Sequence, residues 1–364
     1  MKKIVAIILA LGMMASVTAC SSGSSSPSQA SSAAASSEEA SSEASGEGKS
    51  SDFKAAMVTD TGGVNDQSFN QSSWEGLQSL NKDTGAKVSY LESKQAADYA
   101  TNLDKLADDD NDIIWGIGYA MAGAIGNAAK QNPDISYAIV DNEYDEKTMP
   151  SNVTGVMFRA QESSFLVGYI AGKTTKTNKV GFVGGQTSAI IDQFQYGYQA
   201  GVDYAAKELN KTISVSSQYA ESFSDSAKGK AIASKMFSDG CDIVFHAAGG
   251  AGVGVIQAAK EADKYAIGVD RDQSYLAPEN VLTSALKLAG QAVEQVSKDA
   301  IAGKSIGGKT YTFGLKEGAV GIPEDNKNLS KSVYEDAMKI QKQIIEGTIV
   351  PPYDKTTYAE FSKK

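Results

Sequence analysis

From Phe53 onward, short apolar segments alternate with amphipathic segments of about the length that a helical crossover between parallel strands requires. This periodicity predicts strands over residues 54–59, 87–91, 112–117, 136–140, 153–157, 179–183, 213–218, 242–246, 265–269 and 281–285. It predicts helices over residues 69–82, 98–109, 120–131, 190–208, 226–238 and 252–263. Strands that alternate with helices form mainly parallel sheets, which helices cover on both faces. The fold class is therefore α/β, and about ten strands fit two doubly wound domains better than one.

The first 50 residues have a different composition from the rest of the chain. Residues 1–19 combine two lysines with an apolar run shorter than the ~20 residues that span a bilayer, which indicates an export signal. The small residues before Cys20 resemble the lipobox of bacterial lipoproteins, in which the cysteine is acylated. Ordinary secretion with an incidental cysteine is the alternative. Residues 20–51 are then a lipidated cysteine and a flexible Ser-rich tether, because so polar a segment buries too little apolar surface to offset its ordering entropy. We expect the protein at the outer face of the cytoplasmic membrane, held there by the lipid.

Charge and residue counts exclude several functional classes. The chain has 44 acidic and 34 basic residues and a formal charge of −10, which argues against nucleic-acid binding. A single histidine excludes a multi-histidine metal site. Short enzyme-like motifs occur, namely Asp-Thr-Gly at residues 60–62 and 83–85 and the sequence GKSIGGKT at residues 303–310, which matches both GxSxG and the Walker pattern. Such short matches are weak signals, and no assembled catalytic constellation accompanies them. We therefore expect no enzyme activity, no metal and no cofactor.

Polar and aromatic residues follow several of the predicted strands. In doubly wound sheets, ligands bind beyond the carboxyl ends of the strands. The residues in such positions are Asp60, Asp141, Gly249, Asp270 and Lys287. Carboxylates accept hydrogen bonds from a neutral ligand with hydroxyl or N–H groups, and Phe69 and Phe223 offer faces for a flat ring. On spacing alone, the alternatives of a helix cap or turn for each Asp and of a core position for Phe69 stay open.

Nine segments resemble, in order, the basic membrane protein family, which consists of bacterial lipoproteins of the purine nucleoside receptor type. They are residues 57–70 (MVTDTGGVNDQSFN), 74–77 (WEGL), 112–118 (DIIWGIG), 162–169 (ESSFLVGY), 180–185 (VGFVGG), 248–252 (AGGAG), 267–270 (IGVD), 283–287 (TSALK) and 314–321 (GLKEGAVG). The resemblance covers essentially all of residues 53–345.

This resemblance implies a type I periplasmic-binding-protein fold, in which two Rossmann-like lobes flank a ligand cleft and three crossovers join them. The first lobe is expected to hold residues 52–158 and 271–308, and the second residues 159–270 and 309–364. The family implies a binding protein that captures nucleosides, with purine nucleosides expected, by closure of the lobes. It would deliver them to the permease subunits of an ABC importer. We expect it to be a monomer.

The family also implies roles for individual residues. The base would lie between Phe69 and Phe223, and Asp141 would accept hydrogen bonds from its edge. The remaining implied residues are Asn70 near the base and, around the ribose, Asp60, Gly249, Asp270 and Lys287. Phe194 competes with Phe223 for the second aromatic position, although Tyr198 four residues later favours packing of Phe194 on its own helix.

Other functions compete with nucleoside uptake. A site for ribose or a similar sugar also uses aromatics and carboxylates but usually adds arginines, and the chain has only Arg159 and Arg271. A sensor module that presents a nucleoside to a signalling protein would have the same sequence features. A nucleoside-cleaving enzyme would need a positioned carboxylate with water or phosphate, and Asp60 or Asp270 could serve as that carboxylate.

Overall fold

The computed structural model describes residues 52–145, 147–325 and 327–363; the expected export signal, Cys20 and the tether to residue 51 lie outside these ranges. The strands are β1 (Lys54–Val58), β2 (Lys87–Leu91), β3 (Ile113–Ile117), β4 (Ser136–Val140), β5 (Val153–Phe158), β6 (Lys179–Gly184), β7 (Ser214–Tyr219), β8 (Ile243–Ala247), β9 (Tyr265–Asp270), β10 (Val281–Lys287), β11 (Lys309–Phe313) and β12 (Val320–Gly321). The helices are α1 (Phe69–Thr84), α2 (Asp98–Asp108), α3 (Ala122–Gln131), α4 (Ala160–Thr174), α5 (Ala189–Leu209), α6 (Ser226–Ser238), α7 (Gly250–Ala262), α8 (Ala289–Ile301), α9 (Lys331–Ile345) and α10 (Lys355–Phe361). Every predicted strand and helix is present, to within two residues at each end.

In the described residues, the strands form two six-stranded sheets with matching strand order. The first sheet is ordered β11-β5-β4-β3-β1-β2 and the second β12-β10-β9-β8-β6-β7. Neighbouring strands are parallel except for β10 and β12. The central strands β3 (IIWGI) and β8 (IVFHA) are buried along their whole length, as parallel strands covered on both faces must be. The α/β class and the two-lobe architecture are thus confirmed.

The chain passes between the two lobes three times. The first passage follows β5. The second lies between β10 and α8, which packs on α1 of the first lobe, and the third lies between β11 and β12. The sheets therefore correct the expected segments 271–308 and 309–364 by one strand each, since β10 belongs to the second sheet and β11 to the first. The reason is the short connection from β9 to β10, which holds only a 3₁₀ turn at Ser274–Leu276 and leaves β10 paired with β9.

An ion-pair cluster ties the first passage to the third. Arg159, directly after β5, pairs with Glu162 at 2.7 Å and with Glu317. The second oxygen of Glu162 accepts a hydrogen bond at 2.6 Å from the backbone N–H of Leu315. Two of the three connections are thus held side by side, and Arg159 has a structural place there rather than one at a strand end facing the ligand cleft.

Close helix packing stabilises each lobe. A Cβ atom on Gly168 of α4 would lie 2.1 Å from the carbonyl oxygen of Tyr198 in α5, so only glycine permits this approach. In the first lobe a Cβ on Gly76 of α1 would lie 2.1 Å from the carbonyl oxygen of Gly290 in α8. No helix in the described ranges combines the length and the apolar character needed to cross a bilayer.

Candidate ligand-binding site

The carboxyl ends of the two sheets face one cavity, whose empty space is about 680 Å³ when the open solvent at its mouth is included. All eight candidate residues line it. They are Asp60, Phe69, Asn70, Asp141, Phe223, Gly249, Asp270 and Lys287. The structure thus brings together, from both lobes, residues up to 227 positions apart in the chain (287 − 60). Whether they bind a ligand stays a prediction.

The loop between β1 and α1 builds the first-lobe wall of the cavity. The carboxylate of Asp60 accepts hydrogen bonds from Asn70 Nδ2 at 2.7 Å and from the N–H of Gly62 at 2.8 Å. Burial nevertheless raises the pKa of Asp60 to about 6. Asp66 caps α1, because its carboxylate accepts from the N–H groups of Asn70 at 2.8 Å and Gln71 at 3.1 Å. These bonds fix both Asn70 and Phe69 at the start of the helix.

Lys287 lies at the centre of the charged part of the site. Its side chain is 4% exposed, and its Nζ is 2.5 Å from Asp141 Oδ2 and 3.9 Å from Asp270 Oδ1. The same ammonium lies 4.2 Å from the ring centroid of Phe69, within cation–π range. Lys287 ends β10 in the second lobe and Asp141 follows β4 in the first, so this buried ion pair joins the lobes.

Asp141 and Asp270 occupy equivalent positions in the two lobes. Asp141 follows β4 and Asp270 ends β9, the fourth strand of each sheet in chain order, and both have a φ of 64°. This left-handed conformation is one that Asp tolerates better than most residues with a Cβ. Burial raises the pKa of Asp270 to about 6, against the opposing effect of Lys287, and its Oδ2 accepts a hydrogen bond from Ser68 Oγ across the cleft.

Aromatic rings line the other part of the cavity. Phe69, from the first lobe, and Phe223, from the second, both line it. The ring of Phe223 occupies the space that a side chain at Gly185 would fill, since a Cβ atom on Gly185 would lie 2.2 Å from that ring. Phe194 packs on Phe245 of β8, with ring centroids 6.4 Å apart, and it also lines the cavity, so the choice between Phe194 and Phe223 as the second aromatic residue at the ligand stays a prediction.

Several lining residues were not among the predicted ones. They include Asp66, Tyr99, Tyr119 and Gln186. Tyr119 follows Gly118 at the end of β3, and Gln186 follows β6, so the rule that found Asp60 could have found both. Tyr99 comes from α2, and the sequence contains no signal for its position. Burial raises the pKa of Tyr99 to about 12, so it presents a neutral hydroxyl to the site.

The arrangement suits a neutral, flat, polyhydroxylated ligand. It offers two aromatic rings, several carboxylates as acceptors and one ammonium as donor, while Gly249, with a φ of 53°, leaves backbone accessible near the Phe223 carbonyl. Among the described residues no group of three or more His, Cys, Asp or Glu side chains is arranged to hold a metal ion.

Known proteins share this sequence and fold. Residues 53–355 match the family model described as ABC transporter substrate-binding protein PnrA-like. Basic membrane protein A of Borreliella afzelii is 41% identical over 314 residues, which cover 85% of this chain and 95% of that protein. The ABC transporter nucleoside-binding protein BmpA of Lactococcus lactis subsp. cremoris is 42% identical over 324 residues, with 83% and 90% covered.

A solved structure agrees with the fold. The ABC transporter solute-binding protein from Aeropyrum pernix K1 superposes with a TM-score of 0.77 at 26% identity, over 85% of this chain and 96% of that one.

Proposed function

Since this chain belongs to the family of PnrA-like ABC transporter substrate-binding proteins, which are extracytoplasmic binding proteins and not enzymes, we propose that its ligand is a nucleoside, with purine nucleosides preferred. One observation carries the proposal: a cavity between the lobes combines two aromatic rings with a buried cluster of carboxylates and one lysine. The relative from Lactococcus lactis, 42% identical, is named as nucleoside-binding, which supports it.

The base takes the space between Phe69 and Phe223. Stacking of a base on an aromatic ring contributes about 1–3 kcal/mol. Because Lys287 lies over one face of Phe69, the base uses the other face or the ring edge. Asp141 accepts from the N–H groups of the base edge, and Asn70, which Asp60 and Asp66 hold in place, lies beside it. A carboxylate accepts from adenine N6 or from guanine N1 and N2 alike, so Asp141 does not choose between the two purines.

The ribose lies among Asp60, Gly249, Asp270 and Lys287. Its hydroxyls donate to the carboxylates and accept from the ammonium of Lys287, which is already close to two carboxylates. These four residues come from both lobes, with Asp60 in the first lobe and the other three in the second. A bound nucleoside therefore contacts both lobes at once and favours the closed form, which then docks on the permease.

A ribose-like sugar is the second candidate, because the same carboxylates and aromatics would serve it. The structure places Arg159 in the ion-pair cluster between the lobe connections and Arg271 beside Glu75 at the cleft edge, so neither is in the cavity lining. That position of the arginines favours a nucleoside.

Calorimetric titration tests the proposal. The protein is purified, unfolded in denaturant to release retained ligand, refolded, and titrated with adenosine, guanosine, inosine, cytidine and ribose. Sub-micromolar binding of the purine nucleosides with no heat from ribose is expected. Heat from ribose with none from any nucleoside would contradict the ligand and leave the fold unaffected.

We also propose that Cys20 carries a lipid that anchors the chain. Cells grown with labelled palmitate should yield a labelled protein in the membrane fraction, and Cys20→Ser should abolish both the label and the membrane association. An unlabelled wild-type protein in the membrane fraction would contradict lipid anchoring at this residue.

A further inference from the structure

Outside the cavity, a second set of contacts joins the two lobes at the edge of the cleft. We call it the interlobe clasp, and it consists of Gln67 and Glu75 in the first lobe and Arg271, Gln273 and Tyr275 in the second. None of the five is among the described residues that line the cavity. We propose that the clasp holds the lobes together independently of the ligand, so that it sets how tightly every ligand is retained without contributing to the choice among ligands.

Two hydrogen bonds converge on Gln67, in the loop between β1 and α1. Gln273 Nε2 donates to the backbone carbonyl of Gln67 at 2.9 Å, and the Tyr275 hydroxyl donates to Gln67 Oε1 at 2.7 Å. Gln67 has a φ of 58°, a left-handed conformation that is unusual for glutamine. That conformation presents its backbone and its side-chain oxygens to the same segment of the other lobe.

Within the second lobe, Gln273 is held in place before it contacts Gln67. Gln273 is fully buried, its Oε1 accepts from the N–H of Val269 at 2.9 Å, and its own N–H donates to Ser284 Oγ at 3.1 Å. These bonds lie within the second lobe, so they survive when the lobes separate. Little rotamer entropy is then lost when Gln273 meets Gln67, which makes the contact more favourable than one between two mobile side chains.

A charged contact extends the clasp along α1. Arg271 Nη1 lies 3.0 Å from Glu75 Oε1, and the guanidinium also lies 5.6 Å from the ring centroid of Tyr275. Tyr275 is 49% exposed, so the clasp lies at the surface rather than in the ligand cavity. The two hydrogen bonds to Gln67 and the contact of Arg271 with Glu75 join atoms of one lobe directly to atoms of the other, and they can form only when the lobes are closed.

Closure therefore has two independent contributions: one from the clasp, which is always available, and one from the ligand. A protein whose closed form is already populated binds more tightly, because less of the ligand's binding free energy is spent on shifting the equilibrium. Gln67, Arg271 and Tyr275 are accordingly positioning residues. This proposal rests on lobe closure around a captured ligand, as in the function proposed above.

The test uses Tyr275→Phe, Arg271→Gln and the double variant in the full chain. Loss of one partly exposed hydrogen bond lowers the closed-to-open ratio about 3-fold, and the double variant lowers it about 10-fold. Two matched controls make the same kinds of change away from the clasp. Tyr353→Phe removes a hydroxyl from a residue that is 50% exposed, and Lys230→Gln breaks a 2.7 Å pair with Glu261 inside the second lobe.

The decisive readout needs no ligand. Small-angle X-ray scattering of refolded, ligand-free protein should show a larger radius of gyration for the clasp variants than for wild type and both controls. Equal radii for all six proteins would overturn the proposal, even if no nucleoside binds at all. Where nucleosides do bind, stopped-flow release rates should rise by the same factor for adenosine, guanosine and inosine. A factor that depends on the base would mean that the clasp contacts the ligand, and would overturn it as well.

Discussion

Replacing Lys287 with methionine should abolish tight ligand binding while leaving each lobe folded. Lys287 is 3% exposed, and its ammonium contacts Asp141 of the first lobe at 2.5 Å and lies 3.9 Å from Asp270 of its own lobe. Without it, two buried carboxylates face each other in the closed form with no cation between them. Removing one partner of a buried ion pair costs about 3–5 kcal/mol.

The location of the ion pair determines whether this free-energy cost affects lobe closure or the folding of a lobe. Asp141 and Lys287 belong to different lobes, so opening the cleft returns both groups to water. The penalty is then paid on closure and not on folding of either lobe. A cost of about 3 kcal/mol corresponds to a factor of roughly 150 in affinity, so we expect the dissociation constant to rise by two to three orders of magnitude.

Calorimetric titration with guanosine and inosine measures the change, and scanning calorimetry of the ligand-free protein measures the stability. Lys298→Met is the matched control, since Lys298 pairs with Asp83 and Glu294, both within the first lobe. It should leave the affinity unchanged. If Lys287→Met lowered the unfolding temperature substantially and left the affinity within a few-fold of wild type, the pair would stabilise a lobe, and the reasoning from its position between lobes would be refuted.

Three further predictions concern the carboxylates, the rings and the helix packing. Burial raises the pKa of Asp60 and Asp270 from 3.8 to about 6, so the native chain binds protons that the unfolded chain releases between these values. The free energy of unfolding should therefore increase, on the order of 1–3 kcal/mol, as the pH falls from about 6 to about 4. Calorimetry at several pH values should measure this increase. Asp60→Asn should make the increase smaller, whereas Asp108→Asn, at an exposed position, should leave it unchanged. Phe69→Ala and Phe223→Ala should each weaken nucleoside binding about 10- to 100-fold by titration while leaving the unfolding temperature nearly unchanged. If both variants bound nucleosides as tightly as wild type, stacking of the base between the two rings would be excluded. Gly168→Ala should destabilise the second lobe by about 1–3 kcal/mol or more in denaturant unfolding, because its Cβ would meet the Tyr198 carbonyl at 2.1 Å, whereas Gly123→Ala, which meets no atom within 4 Å, should be neutral or stabilising.

The fold and much of the candidate site could be predicted from the sequence because both follow from local patterns. Strands such as β3 and β8 are short, buried along their whole length and separated by amphipathic helices, so their parallel arrangement follows from burial on both faces. Once each sheet is parallel, the carboxyl ends of its strands share one edge, so Asp60 and Asp141 in the first lobe, and Asp270 and Lys287 in the second, lie at the same edge of their own sheet.

The rest depends on how the lobes meet, which no local pattern records. The contact between Asp141 and Lys287 spans 146 residues and forms only across the cleft. The position of Phe223 on the cavity wall depends on the missing side chain of Gly185, on a different loop. The sheet that β10 joins likewise depends on the ten-residue connection from β9, residues 271–280, whose conformation is set by tertiary contacts.

The order in which the chain completes its two sheets has a consequence for its biogenesis. The first sheet begins with β1 at residue 54, yet its edge strand β11 ends only at residue 313, and α8, which packs on α1, also comes late. The second sheet is complete only after β12, at residues 320–321, has been made. Neither half can therefore finish folding while the ribosome is still making the first 300 residues. Such long-range pairing folds slowly. A chain that must leave the cytoplasm before it works can thus complete neither of its sheets until most of it has been made.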